Sequence, residues 1–143
     1  MHPTLRTRSA LLVAALFLAG CFGGKFDDSD ALFSTDPTVD AATARKVIDC
    51  LLDHAPRIRQ EKEAIVATTK AKTKLIVRVE NAPDPKYPAM DPDTGYHRNY
   101  YWLYVGYHQE KGIYKYYRYL VHQDLGSVLF YDDATDKFTP VTP

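Results

Sequence analysis

The sequence has little cysteine and no net charge, and each shortage excludes a class of protein. Two cysteines among 143 residues cannot build a disulfide-rich secreted scaffold. Eighteen basic side chains balance eighteen acidic ones, whereas nucleic-acid binders carry a basic excess that pairs with phosphates. We therefore expect no nucleic-acid partner, and the length predicts one compact domain.

The N-terminal segment has the order of an export signal. Arg6 and Arg8 precede an apolar run over 10–19, which is too short for a helix that spans a bilayer, since such a helix needs about 20 residues. The run ends in Leu18-Ala19-Gly20-Cys21, which resembles the lipobox of bacterial lipoproteins. The resemblance implies a signal peptide over 1–20.

The same resemblance implies that cleavage occurs before Cys21 and that this residue becomes the lipidation site. Diacylglycerol would be attached to its sulfur and an acyl chain such as palmitate to the new N-terminus, so the partner would be a lipid bilayer. The next residue is Phe22 and not the aspartate that resembles an inner-membrane retention signal. We therefore expect an outer-membrane anchor that faces the periplasm of a Gram-negative envelope.

The remaining chain divides into a linker and a folded part. Residues 21–35 are polar and contain glycine, which predicts a lipid-anchored flexible tether. Residues 36–143 predict a single domain. If Cys21 carries lipid, only Cys50 is left, so no intrachain disulfide can form, and we interpret Cys50 as a buried, unreactive thiol.

Two helices are predicted at the start of this domain. Asp36 and Pro37 have the types favoured at an N-cap and a first helical position, and apolar residues recur at helical spacing up to Ala55. Pro56 interrupts the pattern. A second helix is predicted over 57–69.

After the helices the apolar period changes to two, which predicts strands. One strand begins after Lys74, and a proline-rich loop over 83–92 follows it. Further strands are predicted over 97–109, 113–123, 127–131 and 137–141. The fold class is therefore α+β, with an N-terminal helix or kinked helix pair packed on one face of a three- to five-stranded antiparallel meander sheet.

The turns predict which side chains share a face of this sheet. Gly112 and Gly126 each stand third in a turn, where a left-handed residue is needed. The resulting register places Leu129 and Tyr131 on a first face, and Val128 and Phe130 on a second. The second face also carries the residues that we predict to bind a partner protein or a second copy: Tyr100, Trp102, Tyr104, Tyr116 and Arg118.

An alternative for this aromatic face stays open. Since the helices can cover only one side of the sheet, the proline-rich loop or the tether could fold over the other. Alanine substitution at Trp102 and Arg118 separates a core role from an interface role.

No catalytic or metal-binding pattern is present in the sequence. The histidines lack a metal-ligand spacing, and there is no nucleophile elbow, so we expect no catalytic residue, metal or cofactor, and not an enzyme. Two aspartate groups could supply oxygens to calcium, but we interpret them as ordinary turns. They are Asp91 with Asp93, and Asp132 with Asp133 and Asp136.

The stretch over 117–138 resembles the closing hairpin of PepSY-type and other cystatin-like domains. The resemblance implies a helix across an antiparallel sheet and a non-catalytic fold used for inhibition or binding. The function expected from the sequence is a non-catalytic protein-binding module, in first place an immunity or inhibitor protein. The alternative is an accessory lipoprotein of a cell-envelope or secretion assembly, and a small hydrolase ranks below both.

Overall fold

The computed structural model describes residues 25–143, so the signal peptide and lipobox predicted over 1–21 lie outside the described residues. The described part contains three helices and a six-stranded sheet whose strands follow in chain order. The α+β class is confirmed. In chain order the elements are β1 (Ala31–Ser34), α1 (Ala41–His54), α2 (Arg57–Thr69), β2 (Lys74–Asn81), α3 (Thr94–Asn99), β3 (Tyr100–Gln109), β4 (Gly112–His122), β5 (Val128–Asp132) and β6 (Lys137–Pro140).

Strand β1 corrects three expectations. It pairs in parallel with β2, whereas every other pair in the sheet is antiparallel, and it brings the strand number to six instead of three to five. It also lies inside the range 21–35 that was predicted to be a flexible tether. This segment is structured for a physical reason. Leu32 packs against the buried core, and Asp30 accepts from Arg59 and Lys62 at 2.7 and 2.9 Å.

Helices α1 and α2 follow the predicted pattern except at the first cap, whereas α3 was not predicted. It occupies Thr94–Asn99, so the strand expected to begin at residue 97 begins only at Tyr100. Helix α1 is capped by Asp40, whose side chain accepts from the backbone N–H of Thr43, and not by Asp36. The Asp36 carboxylate instead accepts from the N–H groups of Thr38 and Ala82, both at 2.8 Å, which fixes a turn beside β2. Helix α2 spans the predicted range.

One buried cluster joins α1, α2 and the strands. Tyr107 of β3 lies fully inside it, and its hydroxyl donates to the carbonyl oxygen of Ile58 at 2.9 Å. Glu61 accepts from the hydroxyl of Tyr117 and the ammonium of Lys115, both at 2.9 Å. These contacts attach α2 to β3 and β4. The central members of the cluster are Val47, Ile48, Leu51, Ile58, Leu75, Val77, Val79, Leu103, Val105, Tyr107 and Val121.

The register of the first hairpin is confirmed from Tyr100 to Tyr107 but shifts by one residue between Tyr107 and His108, so that Gln109 pairs with Gly112. The register of the second hairpin is corrected. Leu103 pairs with Tyr119 on the side of the buried cluster. In the second turn the left-handed residue is Leu125, with φ of 61°, and not Gly126. The N–H of His122 then donates to the carbonyl of Ser127, which shifts β5 by one residue. Since side chains alternate along a strand, the predicted faces of β5 are reversed: Val128 and Phe130 face the cluster, while Leu129 and Tyr131 face away.

Candidate partner-binding surface

The side of the sheet that faces away from the buried cluster is called the outer side. Alternation along β3 and β4 places all five predicted binding residues there, because Tyr104 pairs with Arg118, and Gly106 with Tyr116. The structure brings them to one side as predicted. It does not leave them equally accessible, since the outer side has a covered part around Trp102 and an open part around Tyr116.

The covered part is closed by a stack of three rings. His97 of α3 stacks on Trp102 with ring centroids 4.6 Å apart, and Tyr87 stacks on His97 at 4.0 Å. The indole N–H of Trp102 donates to the carbonyl of Tyr96. Only 8% of Trp102 is exposed, so this residue is part of a small second core and is not a free binding residue.

The proline-rich loop and α3 are held over Trp102 by their own contacts. The Arg98 guanidinium donates twice to the carbonyl of Tyr87, at 2.9 and 2.6 Å. The N–H of Asp84 donates to the carbonyl of His97, and Phe138 of β6 stacks on Tyr96 at 3.7 Å. The alternative in which the loop folds over the aromatic face therefore holds for this part of the surface.

The first aspartate group is used within the same loop. Asp91 accepts from the N–H of Asp93 at 2.8 Å and from the hydroxyl of Tyr87 at 3.0 Å, and these bonds hold the pKa of Asp91 below its ordinary value. Both faces of the His97 ring are covered. The carboxylate and the imidazole thus maintain the loop and do not form an open acid–base pair.

The second aspartate group closes the turn between β5 and β6. Asp132 accepts from the N–H of Ala134 at 3.0 Å and from the hydroxyl of Thr135 at 2.9 Å. Asp136 accepts from the hydroxyl of Tyr131 at 2.8 Å. These are the local hydrogen bonds of ordinary turns. Among residues 25–143, no group of three or more histidine, cysteine or acidic side chains is arranged to hold a metal ion.

The open part of the outer side combines aromatic rings with arginines. We call it the aromatic–arginine surface and define it by Arg78, Tyr104, His108, Tyr116 and Arg118. Tyr116 is half exposed, and its ring stacks on that of Tyr104 at 5.7 Å. The Arg78 guanidinium lies over the Tyr104 ring at 4.1 Å, which is a cation–π contact. Tyr104 itself is buried, since only 5% of the residue is exposed, so it supports the ring of Tyr116 and is not itself a free binding residue.

A glycine lets the Tyr104 ring lie along its own strand. A Cβ atom on Gly106 would collide with the phenol ring of Tyr104, so the ring occupies the space that a side chain would take. The Tyr104 hydroxyl lies 2.8 Å from Nε2 of His108. Burial and the nearby charge of Arg78 lower the pKa of His108, which favours its neutral form.

Acidic residues position the two arginines of the surface. Glu80 lies 3.0 Å from Arg78 and 3.6 Å from Arg118, and Asp133 lies 4.0 Å from Arg118. The Arg118 side chain remains 40% exposed. Sequence reasoning placed His108 on this face but did not include it among the binding residues, and it missed Arg78. The signal was available, since period two along β2 and β3 places both on the outer side.

Cys50, the single cysteine of the described part, is half-buried and not buried as predicted. Cys50 donates through Sγ to the carbonyl of Leu125 at 3.3 Å, and burial followed by the charge of Asp53 raises the pKa of its thiol. A raised pKa reduces the thiolate that a nucleophile needs. Between residues 25 and 143, none of the helices is long and apolar enough to cross a membrane.

No family model, no curated protein and no solved structure matches this chain.

Proposed function

We propose that this chain is a lipid-anchored protein of the bacterial outer membrane that binds another protein in the periplasm without catalysing a reaction, as an immunity or inhibitor protein does. The single observation that carries the binding role is the aromatic–arginine surface. The anchor is supported by the lipobox that ends at Cys21. Several acyl chains on one cysteine hold a protein firmly, because each buried CH₂ contributes about 0.8 kcal/mol.

We further infer that α1 and α2 cover one face of the sheet only. Support comes from the buried cluster, which contains Leu51 of α1, Ile58 of α2 and Val105 of β3, and from the bond between Tyr107 and Ile58. The loop over 82–99 covers part of the other face. What is left uncovered is a patch in which tyrosine and arginine meet.

The chemistry of this patch suits protein recognition. Tyrosine and arginine are enriched among the residues that dominate binding energy. Tyr104 and Arg78 are already held in place by stacking, ion pairing and the bond to His108, so little conformational entropy is lost when a partner binds. Tyr116 and Arg118 would supply the accessible area and the charge.

The test is affinity purification of the tagged, membrane-anchored protein from crosslinked cells, followed by mass spectrometry. The informative variants are Tyr116→Ala and Arg118→Ala, which remove exposed groups of the surface. Arg45→Ala is the matched control, because Arg45 is also an exposed arginine in an ion pair, with Asp49 at 3.0 Å, but on α1.

We expect one co-purifying hydrolase that is lost with Tyr116→Ala or Arg118→Ala and retained with Arg45→Ala. Co-purification of several envelope-assembly components would support the accessory role instead of the inhibitor role. Recovery of this chain alone would assign the surface to a second copy. Equal capture by all three variants would overturn the proposal that this surface binds the partner.

A further inference from the structure

The end of the domain at which the chain enters from its N-terminal segment is built from three neighbouring pieces. Phe26 lies beside the loop that follows α2 and beside the β3–β4 turn, where a shallow groove is shared by Phe26, Lys72 and Lys111. Gln109 ties the pieces together, because its side-chain amide donates to the hydroxyls of Thr69 and Thr73 at 3.1 and 3.2 Å. This end is therefore one continuous surface.

That surface carries more positive than negative charge. The acidic residues near it are Asp27, Asp28 and Glu110, and Asp27 lies 4.0 Å from the ammonium of Lys74. The basic residues exceed them in number and, except for Lys74, are exposed: Lys25, Lys70, Lys72, Lys74 and Lys111. We call this region the lysine end.

Apolar and aromatic side chains are exposed beside the lysines. Ile113 is 57% exposed and Tyr114 is 50% exposed, and both follow directly after the turn that carries Lys111. Tyrosine is enriched where proteins meet the headgroup region of a bilayer. Lysines around exposed apolar groups are the composition of a surface that rests on anionic lipid.

The distance to Cys21 limits which end of the domain can reach a bilayer. Five residue steps separate Cys21 from Phe26, and a fully extended chain covers at most about 3.6 Å per step, or about 18 Å. The opposite end of β3 is about 30 Å farther away, since a strand rises about 3.3 Å per residue over the ten residues of β3. A lipidated Cys21 would hold the lysine end, and not the opposite end, next to the headgroups.

We propose that the lysine end docks on anionic phospholipid headgroups, with Ile113 and Tyr114 in the interface. This inference rests on the proposed lipidation of Cys21, and it adds an orientation to the anchor. The lysines pair with lipid phosphates, and each lysine near an anionic surface strengthens the contact about fivefold. The acyl chains hold the protein at the membrane, whereas the lysine end determines how the domain lies on it.

The test is amide hydrogen exchange of the full lipidated protein in vesicles of phosphatidylcholine, with or without phosphatidylglycerol. We expect phosphatidylglycerol to slow exchange in the segments over 69–74 and 109–116 and to leave α1 unchanged. High salt should remove this protection, because exposed charges are screened. The triple variant Lys70→Glu, Lys72→Glu, Lys111→Glu should lose it as well.

The matched control reverses three lysines elsewhere on the domain, with Lys46→Glu, Lys86→Glu and Lys137→Glu, and should retain the protection. Equal exchange in both kinds of vesicle, with the lipid present on Cys21 by mass, would overturn the docking and leave the anchor standing. Protection that both triple variants lose alike would reduce the effect to overall charge and overturn the assignment to the lysine end. An unmodified Cys21 would overturn the anchor together with the orientation that rests on it.

Discussion

Replacing Trp102 by alanine should strongly destabilise the domain, because the proline-rich loop packs on this side chain. The side chain is 8% exposed and contacts three rings, that of His97 by stacking and those of Tyr131 and Phe138 edge to face. Removal of a buried tryptophan costs about 3–5 kcal/mol, including the cavity that remains. A domain of this size has a free energy of unfolding of about 6–15 kcal/mol, so the loss is a large fraction of the total.

The assay is urea denaturation. With a slope of about 2 kcal/mol per molar urea, the expected loss lowers the unfolding midpoint by about 2 M. Trp102 is the only tryptophan in the chain, so its fluorescence reports on the loop in the wild type, and the variant has to be followed by circular dichroism.

The control is Tyr116→Ala on the open part of the same sheet side. Tyr116 is 50% exposed, and its removal should cost less than about 1 kcal/mol. A midpoint for Trp102→Ala that equals that of Tyr116→Ala would refute the conclusion that the loop buries Trp102 in a second core.

Three further outcomes are expected from the contacts described above. Burial raises the pKa of Glu61, but the hydrogen bonds from Lys115 and from two tyrosines outweigh it and leave that pKa below its ordinary value. The ionised Glu61 therefore stabilises the domain above the ordinary pKa, and this stabilisation is lost as the pH falls through the lowered pKa. In an acid titration, Glu61→Gln should thus lose stability less steeply than the wild type. Iodoacetamide should alkylate Cys50 more slowly in the native protein than in urea, because burial raises the pKa of the thiol; equal rates by mass spectrometry would contradict this. Gly106→Ala should displace the Tyr104 ring, and the lost cation–π contact and hydrogen bond should cost about 1–2 kcal/mol of stability. Partner capture should fall while the domain stays folded. Unchanged capture would mean that Tyr104 does not shape the surface.

The elements that were predicted well have strong local signals. Helix α2 follows Pro56, and its apolar positions recur at helical spacing, so the range 57–69 could be read from the sequence. Strand β2 has three buried positions in strict alternation, Leu75, Val77 and Val79. In these segments local preference and tertiary packing agree.

The elements that were missed depend on contacts between distant residues. Strand β1 has four residues and none of them is fully buried, so no period could be recognised, and Leu32 is placed by its pairing with β2. Helix α3 has six residues and is held by the stack of His97 on Trp102. The faces of β5 were reversed because Leu125, and not Gly126, takes the left-handed conformation in the turn.

The candidate site shows the same division. Period two was sufficient to place Tyr104, Tyr116 and Arg118 on one side of the sheet. Which residues stay open could not be predicted, because Trp102 is covered by a loop that has no hydrophobic period. Packing of that loop, and not the strand pattern, determines the boundary of the aromatic–arginine surface.

The most direct test of the central claim is the mass of the mature protein purified from bacterial membranes. We expect a chain that begins at Cys21 and carries three acyl chains, and a Cys21→Ser variant that leaves the membrane fraction. An unmodified Cys21, or a Cys21→Ser variant that stays in the membrane, would contradict the lipid anchor on which the proposed function depends.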